Sequence, residues 1–166
     1  MSAASSSPSG AAGAALGLAG AGTGVMAGLF FAFDAAVMPA LAGKDDRTFT
    51  ESMRSINRSI ENPLFGLVFT GALAAPATAA VLLHRNGERR AARWAAAGAA
   101  LYGAAVVVTG AVNLPLNAGL ARTADVSAAR ARFERRWRTA NAVRTVLTTA
   151  AAVCVGRAAA LHGRRS

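Results

Sequence analysis

Few residues in this chain have side chains able to do chemistry, and several of them fall at helical spacing. Trp137, Asn141, Arg144 and Thr148 are separated by four, three and four positions, so one helix would carry them all on a single stripe. Asp34 is the one charged residue between Ala11 and Gly43, and Asn62, Asn113 and Asn117 stand at the ends of apolar runs. A carboxylate, a guanidinium and a set of amides supply a base and donors for a developing oxyanion. Metal chemistry has less to draw on. One Cys and two His cannot complete a zinc site without carboxylates, and the spacing gives no paired metal carboxylates. His84 ends an apolar run beside Arg85, His162 falls in a basic tail, and Cys154 lies between Val153 and Val155 as an inert packing residue. There is no Ser/His/Asp order and no phosphate-binding loop.

Membrane helices must position these groups. The 166 residues are 54% hydrophobic and 16% charged, against about 25% charged in soluble domains, and the mean hydropathy is positive. The net charge of +10 would suggest nucleic acid in a soluble protein. Here the basic residues sit in short blocks between long uncharged runs, with no basic face interleaved with aromatics, so a bilayer rather than nucleic acid is the expected partner. Residues 1–10 read as a disordered lead, 11–161 as one membrane domain with spans at about 16–42, 63–84, 93–117 and 139–161, and 162–166 as a basic tail. Pro63 suits a first helical turn, Trp94 an interfacial anchor, and the segment from Asn113 to Asn117 should break or kink the third span. Gly20, Gly24 and Gly28 form a small-residue stripe suited to close helix contact, and a homo-oligomer is compatible with it.

The connectors are amphipathic. Phe49, Met53, Ile56 and Ile60 share one face of a helix between spans one and two, and residues 124–138 behave similarly around Phe133 and Trp137. The predicted architecture is therefore all-α: a four-helix transmembrane bundle with short interfacial helices in the first and third connectors. Both connectors share one side, which carries ten Lys or Arg against seven on the other. A multi-pass cell-membrane protein with both termini outside is expected from that bias.

An antiparallel order gathers Asp34, Asn62, Asn113, Asn117, Trp137, Asn141 and Arg144 at the same membrane face. With Asp34 about 9 Å and Arg144 about 7 Å inside their helix ends, a direct contact between them is expected. Such a pair relieves the cost of two buried charges, about 3 kcal/mol each or more, whether it staples helices or serves a site.

The blocks FFAFDAAVMPAL, DDRTF, MRSINRSIENP, VNLPLN, RARFERRW and NAVRT resemble the anthrone oxygenase-like integral membrane family over about residues 25–150. The resemblance implies a small four-span protein. In the family's fungal enzymes it also implies oxidation of an anthrone to an anthraquinone by molecular oxygen without an evident cofactor. Carried onto this chain, the family pattern falls on Pro39, Asn57, Asn62, Pro63, Asn113, Pro115, Asn117, Trp137, Asn141 and Arg144. Asp34 stands where relatives often have Ser, and Ala140 and Ala142 where many have an aromatic residue and a His. Asp34, Arg144, Asn113 and Asn141 are then the candidate catalytic residues, with Asp34 as base. Asn57, Asn62, Asn117 and Trp137 are the candidate contacts to a small aromatic substrate. The competing reading is a non-enzymatic membrane protein that binds or carries a small molecule or serves as a partner subunit.

Overall fold

The computed structural model describes residues 8–164. The predicted lead thus lies mostly outside the described residues, and its last three positions already belong to a helix. The elements are α1 (Pro8–Ala32), a π turn (Phe33–Val37), α2 (Met38–Ala42), α3 (Asp46–Ile60), α4 (Pro63–Arg85), α5 (Arg89–Val108), a second π turn (Thr109–Asn113), α6 (Leu114–Arg122) and α7 (Val126–His162). Continuous through their π turns, α1–α2 and α5–α6 make two rods; with α4 and α7 they give four helices long and apolar enough to cross a membrane. Helix α1 packs on α4 and α7, and α5 packs on the same two, closing a four-membered bundle. The all-α multi-pass architecture is as expected.

Two prolines explain the two π turns. A proline lacks an N–H, and its ring crowds the carbonyl four residues earlier. For Pro39 and Pro115 those carbonyls belong to Ala35 and Ala111, inside the π turns, where the chain is wound more widely. The N–H of Met38 reaches back to Phe33 O, and that of Leu114 to Thr109 O, each spanning five residues. The break expected at Asn113 to Asn117 is therefore a local widening, and the rod continues to Arg122.

The third connector differs from its prediction. Residues 126–138 are the first part of the 37-residue helix α7, which starts on an Asp125 cap to Ala128 N–H and has no proline inside it. Nothing between Val126 and Val155 interrupts helical hydrogen bonding, so connector and span fuse. This extension gives α3 a protein partner: Phe49 and Met53 are fully buried against Phe133, Trp137, Leu120 and Met38, rather than facing lipid. Two arginines tie down the ends of these two rods. Arg130 donates to Ala42 O and Lys44 O at 2.9 and 2.7 Å, and Arg54 donates to Leu120 O at 2.9 Å and to Thr123 O. Both occupy carbonyls that a helix C-terminus leaves without partners.

Other expectations are corrected. Gly20, Gly24 and Gly28 are exposed, and of the three only Gly20 comes near another helix, its Cβ position lying 4.0 Å from Val155, so the stripe makes no close helix contact within this chain. Close approach occurs instead at Gly22, where a Cβ would lie 3.2 Å from the Ala72 backbone, and at Gly98, where it would lie 3.0 Å from Val155 and 3.2 Å from Ala151 O. His162 ends α7 rather than lying in a tail; its ring is buried between the Glu88 carboxylate at 2.9 Å and Ser9 O at 3.2 Å.

Candidate functional site

Helix α7 carries the site. Trp137, Asn141, Arg144 and Thr148 are all buried, as their spacing predicted. Thr148 donates to Arg144 O at 2.8 Å, a hydrogen bond internal to the helix. The first π turn brings Asp34 to the same level, and the second brings Thr109 and Asn113.

Asp34 and Arg144 do not form the direct ion pair that their depths suggested. The Asn141 amide lies between them: Nδ2 donates to Asp34 Oδ1 at 2.7 Å, while Oδ1 accepts from Arg144 Nη2 at 2.7 Å. Asn141 sits three residues before Arg144 on the same face and one turn nearer to Asp34, so its short side chain fills the gap first. Asn141 Nδ2 also donates to Phe30 O at 2.9 Å, and Thr145 Oγ1 supplies a second donor to Asp34 at 2.6 Å. Both carboxylate oxygens are thereby engaged.

The guanidinium of Arg144 is held by more than charge. Its Cζ stands 4.2 Å from the centre of the Phe30 ring and 5.5 Å from that of Trp137, and Nη1 lies 3.4 Å from Thr109 Oγ1. Cation–π contacts of this kind contribute on the order of 2 kcal/mol when desolvated. Trp137 is fixed in turn by its Nε1–H, which donates to Asn117 Oδ1 at 3.0 Å, and by its contact with Phe33.

These residues wall a cavity of about 100 Å³ between α1, α3, the start of α4, the second π turn with α6, and α7. Phe30, Phe33 and Trp137 give it an aromatic surface; Asn57, Asn113, Asn117, Thr109 and Arg144 give it polar edges. Asn113 is 1% exposed, and neither of its amide atoms has a partner; Arg144 Nε is likewise buried and unpartnered. An unmet buried donor or acceptor costs about 1–3 kcal/mol, and the two Asn113 amide atoms and Arg144 Nε carry that cost beside the cavity. The rim is formed by the exposed Glu61 and Leu114 with the half-buried Ile60 and Phe65.

The predicted residues divide accordingly. Arg144, Asn113, Asn57, Asn117 and Trp137 line the cavity, and Asn141 is buried between Arg144 and Asp34. Asp34 lies behind that amide and is not among the lining residues. Asn62 is exposed and works as the cap of α4, accepting from Phe65 N–H at 2.9 Å and donating to Ser59 O at 2.8 Å. Glu61, Thr109 and Thr145 were not anticipated. Thr145, four residues after Asn141, could have been read from helical spacing; Glu61 follows the last residue of α3 and belongs to no periodic pattern. Among the described residues no cluster of His, Cys, Asp and Glu has the make-up of a metal site.

Neither the curated protein sequences nor the solved structures contain a match to the chain. A family model does match: anthrone oxygenase, over residues 62–154, which is more than half of the chain and runs from the cap of α4 to Cys154 in α7. The matched stretch contains Asn113, Asn117, Trp137 and Arg144, which line the cavity, and Asn141 behind them; the chain as a whole has four helices able to span a membrane. This multi-pass membrane chain belongs to the anthrone oxygenase family.

Proposed function

We propose that the protein oxidises an anthrone-like aromatic ketone with molecular oxygen, without a bound cofactor, in the cavity beside Arg144. The observation that supports this reading is the pairing of unpartnered Asn113 with Arg144 in an aromatic-walled cavity. An anthrone has an acidic C–H opposite its carbonyl. Loss of that proton places negative charge on the oxygen, where Arg144 and the Asn113 amide N–H stabilise it more strongly than the neutral ketone.

Glu61 accepts the proton, being the carboxylate on the cavity rim; Asp34, engaged by two donors behind Asn141, balances and positions Arg144. The anion gives one electron to oxygen, and the resulting radical and superoxide join at the deprotonated carbon as a peroxide. Proton return and loss of water leave the second carbonyl, so anthrone and O2 become anthraquinone and H2O. A fused tricycle exceeds about 100 Å³, so its entry requires Leu114, Ile60 or Phe65 to swing aside. The small volume favours a second reading, a non-enzymatic protein that binds a smaller polar ligand or carries one. The connector side faces the cytoplasm in this proposal, on its ten basic residues against seven.

Oxygen consumption and quinone absorbance, measured with purified protein in nanodiscs supplied with an anthrone, test it. One O2 per quinone is expected, lost in Arg144→Lys and Asn113→Leu. A rate equal to that of empty nanodiscs favours the binding reading.

A further inference from the structure

The end of the bundle opposite the cavity carries a different feature. Gly87, at φ 77°, turns the chain tightly between α4 and α5 and brings Arg85 alongside Arg89. Arg93 follows Arg89 by four residues on the same face of α5. These three arginines and His84 line a groove of about 610 Å³ whose remaining wall is Ala80, Val81, Ala92 and Ala96. All four polar side chains belong to exposed residues.

The cations of this groove are uncompensated. Among the described residues Arg85, Arg89 and Arg93 enter no ion pair, and no carboxylate lines the groove. Glu88 lies between them in sequence, yet its carboxylate is drawn to the other flank of the hairpin, 2.9 Å from His162 Nδ1 and only 11% exposed. A groove of similar size at the other end behaves differently. There Arg130 meets Asp46 at 3.1 Å and Glu134 at 2.8 Å, so its charge is answered internally.

Position adds the second half of the argument. Val81 lies one helical turn inside Arg85, and Ala96 three residues inside Arg93, so the apolar wall runs about 5–6 Å beyond the innermost cation of each helix into the span. Val81 is half exposed, and Trp94, exposed as well, follows Arg93 in α5. A small inorganic anion would engage the cations and leave the apolar wall unused. A phosphate diester bearing acyl chains would engage both. From this geometry we propose that the groove holds an anionic phospholipid, its phosphate between Arg85, Arg89 and Arg93 and one acyl chain along Val81 and Ala96.

Native mass spectrometry of the full chain, delipidated and titrated with phosphatidylglycerol against phosphatidylcholine, tests the assignment. The wild type should retain phosphatidylglycerol selectively. R85Q/R89Q/R93Q should bind it about a hundredfold more weakly. R132Q/R135Q/R136Q removes the same charge from exposed residues at the other end and should keep wild-type binding. Equal weakening in both triple variants would reduce the effect to net charge and overturn the site. Displacement of the lipid by excess inorganic phosphate would overturn the acyl-chain contact and with it the proposal.

Discussion

Asn113 and Asn141 are both buried amides, and they are expected to respond to substitution in opposite ways. Asn141 satisfies Asp34, Arg144 and Phe30 O together, so Asn141→Leu takes one hydrogen bond from each, leaving Asp34 with Thr145 alone, and should lower stability by about 3 kcal/mol. Asn113 satisfies nothing within the protein, so Asn113→Leu should leave the melting temperature unchanged or raise it while abolishing turnover. Thermal unfolding in detergent checks both; a destabilised Asn113→Leu would mean that the amide is structural. At the surface, Asp45 accepts from the backbone N–H and the hydroxyl of Thr48, which holds its carboxyl below the ordinary value of 3.8. A carboxyl lowered in the folded state stabilises it above the unfolded value and loses that effect as pH falls through the folded one. The melting advantage of wild type over Asp45→Ala should therefore be constant above about pH 4 and shrink below it; an advantage unaltered in acid would contradict the cap. The stripe from Trp137 to Thr148 was legible because helical periodicity fixes which side chains share a face. The order of contacts across the gap was not, since it depends on whether the amide or the guanidinium is nearer to Asp34.

At the scale of elements, the prolines set the register of the site. Pro115 follows the π turn that carries Thr109 and Asn113, and Pro115→Ala restores an N–H and removes the ring that the wider winding at Ala111 accommodates. That variant should fold at least as stably as wild type, yet rotate Asn113 out of the cavity and lose most activity; retained activity would show that the turn is not what places the amide. Gly98 is the other sensitive position. A larger side chain there meets Val155 and the Ala151 carbonyl, and Gly98→Leu should cost about 1–3 kcal/mol by separating α5 from α7, read as a lower melting temperature. Four apolar runs and one amphipathic connector were legible from hydropathy and periodicity alone. The fusion of the third connector with α7 was not, because a charged, uninterrupted helical sequence reads alike whether it ends at the membrane surface or continues through it. The glycine stripe was legible as a face but not in its neighbour: four-residue spacing fixes the one and not the other, and within a single chain that face is exposed.

Across the whole molecule, the cavity lies at one end of the bundle and a groove lined by cations without carboxylates at the other, with His162 and Glu88 closing the latter end against the start of α1. The antiparallel order of four spans was enough to gather the polar residues at one membrane face, and the matched family stretch covers the part of the cavity wall from Phe65 to Arg144, while Phe30, Phe33, Asn57 and Glu61 lie before it. The small volume of the cavity could not be read from sequence, because it is set by how Phe30, Phe33 and Trp137 pack. The central claim is that this wall stabilises an aromatic ketone as its oxyanion, a step that precedes any contact with oxygen. Deuterium exchange at the acidic carbon of an anthrone, followed by mass spectrometry under strict exclusion of oxygen, isolates it. Wild-type protein should accelerate exchange over empty nanodiscs, and Arg144→Lys, Asn113→Leu and Glu61→Gln should each reduce that acceleration by tenfold or more. Exchange at the background rate in the wild type would contradict the account.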